Sequence, residues 1–358
     1  MGELEARTVR PKLSVVMASY NHAAFVRQAV ESVLSQSFAE FEFVITDDGS
    51  RDGTADILRS VPDPRIGLHV FQQNRGAVDA LNDAIRRSCG EYIAVLNSDD
   101  YFLPEKLARQ VEYLDANPGV GAVFGVPKVV DETGRELGGD EHLFARLFTK
   151  QNRTRIEWLR HFFENGNCLC HPTLMIRRSC YDQVGSYDPL LMNLPDFDMW
   201  VRLCQHFDIH IVAEPVTAFR LLAHERNTSA PSPPNLARTA WETVGILGHY
   251  VTLPPSQLKE VVLPWPENLP GRDPELVLGL AALRVGRPGY LQFGLGLIRD
   301  HIRRNPGSFP VKQYFGLVGE LDPMKTRPAP ALPPPRLSCA DLAYKVFDRV
   351  RRWSSPRG

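Results

Sequence analysis

The chain is short of everything that would make it a disulfide scaffold, a membrane-spanning protein or a polyelectrolyte binder. Six cysteines in 358 residues (Cys89, Cys168, Cys170, Cys180, Cys204, Cys339) are too few for a disulfide framework. Cys168-Leu169-Cys170 lacks the further Cys or His at ligand spacing that a zinc site needs, so the thiols read as reduced and buried. No apolar run reaches the roughly 18 residues of a membrane span, and Met1-Gly2-Glu3-Leu4-Glu5 has no apolar signal region. Gly2 lacks the downstream Ser or Thr of a myristoylation signal, since Ala6 and Arg7 follow Glu5. A formal net charge of −1 gives no general pull toward nucleic acid, so none is expected as a partner and any basic surface is local. These absences lead us to expect a cytoplasmic protein, free or resting peripherally on the inner face of the plasma membrane.

With 43% hydrophobic and 23% charged residues, the chain can bury a full core, as one large domain plus an appendage or as two domains. Leu13, Val15, Val16 and Met17 mark a buried strand over 12–19. Phe25, Val26, Ala29, Val30, Val33 and Leu34 then recur at helical spacing. Strands follow at Phe43–Ile45, Ile66–Phe71 and Tyr92–Leu96, separated by a short helix over Thr54–Ser60 and a longer one to Ser88. Pro104 suits the first turn of a helix carrying Leu107, Val111 and Leu114. Helical spacing covers about Asp140–Phe163 and Asp196–His206, with a strand over Thr173–Ile176 between them. Strands alternating with helices predict an α/β fold with a mostly parallel sheet covered on both faces.

Ligands of such sheets bind beyond the carboxyl ends of the strands. Two strands end there in carboxylates: Thr46-Asp47-Asp48-Gly49-Ser50 and Asn97-Ser98-Asp99-Asp100. Missing from the corresponding turn, Ser19-Tyr20-Asn21-His22-Ala23, is any glycine. That absence argues against a dinucleotide-binding dehydrogenase and against a nucleotidyltransferase with a Gly-rich loop.

The ordered series is more specific than any of its parts. Ser14-Val15-Val16-Met17-Ala18-Ser19-Tyr20-Asn21, Asp47-Asp48-Gly49-Ser50, Asp52-Gly53-Thr54, Asn74-Arg75-Gly76, Ala80-Leu81-Asn82, Gly90-Glu91-Tyr92 and Asn97-Ser98-Asp99-Asp100 succeed one another over about residues 12–225. This series resembles the family 2 inverting glycosyltransferases, which have the GT-A fold, a Rossmann-like sheet flanked by helices. The resemblance implies transfer of a sugar from a nucleoside-diphosphate donor, UDP-sugar by default, to a hydroxyl of a saccharide, lipid-linked or protein-linked glycan. It implies Mn2+ or Mg2+ as cofactor, held through Asp99, with Asp100 coordinating or orienting the loop. Asn97 stands where the family's DxD motif has its first carboxylate, and would contact ribose or metal-bound water. Ala18, Tyr20, Asp47, Asp48 and Ser98 would line the nucleotide site, or Tyr20 would be a packing aromatic and Asp48 a turn former. Arg75 would reach the diphosphate, or be an ordinary solvated arginine.

Leu194-Pro195-Asp196-Phe197-Asp198-Met199-Trp200 is similar to the family's acidic acceptor motif, which makes Asp196 the general base. Taken alone, Asp196 would read as a helix cap; the upstream motifs favour the base. Pro195 replaces the usual Glu. Trp200 packs or lines the acceptor side. His171, before a strand, contacts substrate or is buried and hydrogen-bonded. Arg220, His224 and Asn227-Thr228-Ser229 are similar to the family's closing segment, in which His224 would reach the metal or diphosphate or else face solvent. The departures at Asn97 and Pro195 motivate one alternative, a non-catalytic nucleotide-sugar-binding module in a glycan assembly complex.

Boundaries follow from composition. We expect the glycosyltransferase domain over 1–229, a helical region over 230–323, a Pro-rich tether over 324–337 and a basic amphipathic helix over 338–358. Leu342, Val346, Val350 and Trp353 form the apolar stripe of the last segment, beside Lys345, Arg349, Arg351 and Arg352. It would lie on an anionic membrane, or dock on its own core or on a second subunit of a homo-oligomer.

Overall fold

The computed structural model describes residues 10–138, 142–222, 232–265 and 273–320. The chain forms two units, one of residues 1–152, 169–199 and 206–227, the other of the remaining residues. The expected tether and the basic helix beyond it lie outside the described residues, as does His224. Among the described residues no helix is long and apolar enough to cross a membrane.

The first unit is built on an eight-stranded mixed sheet in the order β3-β2-β1-β4-β7-β6-β8-β5. Its strands are β1 (Leu13–Ser19), β2 (Phe41–Asp47), β3 (Ile66–Val70), β4 (Tyr92–Asn97), β5 (Tyr101–Phe102), β6 (Val120–Val130), β7 (Met175–Arg177) and β8 (Asp208–Arg220). β3, β2, β1 and β4 run parallel, joined through α1 (Val26–Leu34), α2 (Thr54–Arg59) and α3 (Ala77–Arg87). These are the segments whose apolar residues form near-continuous runs, as strands buried on both faces require. Leu13, Val15 and Met17 of β1 are wholly buried with Val26, Ala29, Val30 and Val33 of α1. β7 then turns the sheet antiparallel, while β6 and β8 pair parallel with each other.

The periodicity did not reveal β6 and β8, the two longest strands. Gly121, Gly125 and Pro127 interrupt the first, Glu214-Pro215 the second, and the register between them shifts at three places. Gly125 answers to packing: a Cβ there would lie 2.4 Å from Val216 Cγ2. Helix α4 (Lys106–Ala116) begins two residues after Pro104, because Glu105 takes a left-handed conformation at φ 66°. Lys106 is fully buried, and its Nζ donates to Gln110 Oε1 at 2.6 Å and to the Thr173 carbonyl at 3.0 Å. Completing this unit are α5 (Leu143–Leu147), α7 (Arg178–Val184) and the start of α8 (Pro195–Cys204).

The second unit is helical: α6 (Arg155–Asn165), then α9 (Pro233–Gly248), α10 (Pro255–Val261), α11 (Pro274–Val285), α12 (Pro288–Arg304) and α13 (Val311–Glu320). Four of these helices open on proline, where the missing N–H has no partner to lose. Pro233 and Pro234 are thus the first turn of α9. Tyr250 Oη donates to the Leu159 carbonyl and Tyr290 Oη to that of Phe162, tying α6 to the later helices. Of the described thiols, Cys168, Cys170, Cys180 and Cys204 are buried as expected, whereas Cys89 is exposed.

Candidate active site

β1, β2 and β4 end level with one another: Ser19 pairs with Asp47, and Ala18 with Asn97. The loops that follow therefore leave the sheet along one rim, and polar side chains knit them together. Thr54 Oγ1 accepts from the His22 N–H, Asp52 from Ala23, and Asn21 Oδ1 from Arg51, each at 2.9 Å. Asn21, without a glycine to take the turn, sits at φ 52°, a conformation that asparagine tolerates.

The first acidic strand end is turned inward. Asp47 is fully buried and accepts from Ser19 Oγ at 2.6 Å, from the Ser50 N–H at 2.9 Å and from Ser50 Oγ at 2.7 Å. Asp48, also buried, accepts from Asn74 Nδ2 and from the N–H groups of Arg75 and Gly76. Burial raises the Asp48 pKa against the pull of those N–H groups. Both carboxylates thus shape the loops that carry Ser50 and Arg75. Tyr20 is left 40% exposed on the same rim. Arg75 is exposed, its guanidinium 4.4 Å from the centre of the Phe71 ring. With Phe71, Asp79, Asn82, Asp83 and Arg86 it lines a polar cleft of about 340 Å³.

At the second acidic strand end the carboxylates differ. Asp100 is 2% exposed; its Oδ1 accepts from the Arg220 N–H at 2.7 Å and its Oδ2 from Asn97 Nδ2 at 2.9 Å. Both oxygens therefore face protein donors, which suits the loop-orienting reading of Asp100. Asp99 is half-buried. Burial raises its pKa, opposed by the nearby charges of His22 and Arg220; Asp100 is pushed up further by its own burial and by Asp99. A carboxylate whose ionised form is so poorly solvated would gain by meeting a cation. Asn97, by donating to Asp100, avoids adding a third charge.

Sequence reasoning missed His22, whose Nδ1 lies 2.8 Å from Ser98 Oγ. The available signal was its place in the loop after β1, next to the rim. It also missed the reach of Arg220, which is 2% exposed and donates to the carbonyls of Asp99, Asp131 and Glu132 and to Gln28 Oε1.

Asp196 occupies the first turn of α8, half-buried, and accepts from the Phe197 N–H at 2.7 Å. Burial first, then the charges of Asp100 and Asp196, push the Cys170 thiol well up. His171 Nε2 lies 2.9 Å from Tyr187 Oη, and burial lowers its pKa to about 4, which favours the neutral ring. Asn82 holds the same tyrosine by exchanging two hydrogen bonds with its main chain. Trp200, expected to pack or to line the acceptor side, is fully buried. No group of three or more His, Cys, Asp or Glu poised for a metal occurs among the described residues.

The model of the family described as "Glycosyl transferase family 2" matches residues 14–185. The succinoglycan biosynthesis protein ExoO of Rhizobium meliloti is 36% identical over 151 residues, covering 42% of this chain and 40% of that protein. Among solved structures, residues 1–349 of S. aureus TarS in complex with UDP-GlcNAc superpose with a TM-score of 0.60 at 14% identity, covering 97% of this chain and 93% of that one. The mannosyltransferase PcManGT of Pyrobaculum calidifontis, in complex with GDP-Man and Mn2+, gives 0.54 at 18% identity, covering 96% and 87%. Residues 14–185 are a family 2 glycosyltransferase domain, carried on a GT-A fold.

Proposed function

We propose that the chain is a metal-dependent inverting glycosyltransferase that moves a sugar from a nucleoside-diphosphate donor to a hydroxyl of a glycan acceptor. The observation that carries this reading is Asp99, a half-buried carboxylate beside the fully buried Asp47, Asp48 and Asp100, on the rim where β1, β2 and β4 end level.

In this reading Ala18, Tyr20 and the Asp47 loop receive the base and ribose, with Asn97 and Ser98 beside them, and Arg75 meets the diphosphate. Asp99 is the principal ligand of a Mn2+ or Mg2+ ion, with Asp100 fixing its loop and His224 a further candidate. One carboxylate suffices when the donor's own phosphates supply the remaining oxygens. When bound, the cation neutralises charge on the departing diphosphate. Asp196 takes the proton of the acceptor hydroxyl as that oxygen attacks the anomeric carbon on the face opposite the leaving group, inverting the centre. The UDP-GlcNAc and GDP-Man complexes of the two structural neighbours support a nucleotide-sugar donor, and uridine is the default nucleoside by resemblance to the family. The succinoglycan relative supports a growing polysaccharide as acceptor.

Calorimetric titration with UDP, GDP and dTDP, each with Mn2+ and again with EDTA, tests the site. Mn2+-dependent binding of one nucleotide, lost in Asp99→Ala, is the expected result. Asp196→Asn should keep that binding and lose transfer. Tight binding without turnover of any donor by the native chain would instead favour the non-catalytic module.

A further inference from the structure

A second cluster of reactive side chains lies in the helical unit, on residues that take no part in the site described above. Asp273 caps α11 by accepting from the Glu275 N–H at 2.9 Å. Its Oδ2 lies 2.5 Å from Nδ1 of His301, in the last turn of α12. On the other side of that ring, Nε2 lies 2.8 Å from Ser308 Oγ. His301 is 3% exposed and Ser308 is half-buried, beside exposed Asn305, Pro306 and Gly307. A carboxylate, a buried imidazole and a hydroxyl thus succeed one another, each neighbouring pair within hydrogen-bond reach. This is the geometry by which a serine nucleophile is activated, and it is recognised by roles rather than by sequence order.

We propose that Ser308, His301 and Asp273 form a second catalytic centre, which hydrolyses small acyl esters independently of glycosyl transfer. Asp273 is the positioning residue: by accepting Nδ1–H it leaves Nε2 as a proton acceptor. Ser308 Oγ bonds to the ester carbonyl carbon while its proton passes to Nε2. The C–O bond to the alcohol breaks, and the departing alkoxide takes that proton. Water then attacks the acyl-serine, giving one proton to Nε2, and the carboxylic acid leaves as the serine recovers its hydrogen. The sum is ester plus water to acid plus alcohol, with no other reactant. Gly307, at φ 86°, turns the chain sharply just before the nucleophile.

Ser308 Oγ has a second partner, the Asn305 carbonyl at 2.6 Å. A hydroxyl proton resting there would make the cluster a pin between helix ends and nothing more. The test separates the two. The full chain is treated with a fluorophosphonate probe and mapped by peptide mass spectrometry, and is assayed with p-nitrophenyl acetate. An adduct on Ser308 is expected, with hydrolysis falling about a hundredfold or more toward background in Ser308→Ala. Asp273→Asn, which turns an N–H toward Nδ1, should lose the rate at neutral pH and regain part of it at alkaline pH, a profile that lost packing would not give. Absence of an adduct on the native chain, or hydrolysis that survives Ser308→Ala, overturns the proposal and leaves the pin.

Discussion

The main-chain N–H of Arg220 donates to Asp100 Oδ1 at 2.7 Å, and the same residue's guanidinium donates to the carbonyl of Asp99. One residue at the end of β8 thus fixes the acidic turn that follows β4. Its guanidinium also satisfies two carbonyls of the β6 turn and Gln28 Oε1 of α1, and stacks over Phe25 and Tyr101. Lysine offers a point charge in place of this fork. Arg220→Lys should therefore cost about 3 kcal/mol of stability in urea titration, because buried carbonyls lose their donors. Nucleotide affinity should fall as well, measured where the variant is still folded. Unchanged stability would mean that the turn is held without the guanidinium.

Asn97 answers a local electrostatic problem. Its amide donates to Asp100, whose acid form burial and Asp99 already favour. Restoring a carboxylate with Asn97→Asp removes that donor and places a third acid beside two others. The expected cost is about 1–3 kcal/mol at neutral pH by thermal or urea melts, shrinking as the pH is lowered. An equal or greater stability at neutral pH would show that the turn relaxes to accommodate the charge.

Gly49 sits between the two inward-turned carboxylates and their loops. It takes φ 73°, and a Cβ there would lie 2.8 Å from the main-chain carbon of Gln73. Since that neighbour is backbone, it has no rotamer through which to retreat. Gly49→Ala should cost about 2–4 kcal/mol and loosen the Asn74–Gly76 segment that Asp48 holds. Faster amide exchange at Arg75 and Gly76 is the local readout. Exchange identical to the native protein would contradict this account.

Much of the parallel half of the sheet could be read from sequence, because its strands are continuous apolar runs between unmistakable turns. The strand ends bearing Asp47 and Asp99 were legible for the same reason, and they do fall on one rim. What stayed hidden depends on contacts that no local pattern encodes. Arg220 reaches Gln28 across 192 positions, and β6 and β8 carry prolines and glycines that only their pairing explains. From sequence, Asp47 reads as a nucleotide contact and Asp48 as a second contact or a turn former; folding turns both toward Ser19, Ser50, Asn74 and Arg75. A carboxylate's residue type says nothing of which donors the fold will bring to it.

His171 makes a prediction about pH that does not depend on activity. Burial lowers its pKa from 6.5 to about 4 while Nε2 shares a hydrogen bond with Tyr187 Oη. In the unfolded chain the same imidazole protonates near 6.5, so between these values the unfolded state binds more protons than the native one. Stability therefore rises with pH across this window: the contribution is complete above 6.5 and is lost as pH falls toward 4. The full shift would set an upper limit of about 3 kcal/mol, and the partial exposure of the ring brings the expected loss to about 1–2 kcal/mol. His171→Asn keeps a polar group near Tyr187 but cannot titrate. Its unfolding free energy, measured by urea titration at several pH values from 4 to 7, should show a shallower slope than the native protein's. Parallel curves would mean that His171 already carries its proton in the folded state, and that another group is responsible for the acid sensitivity.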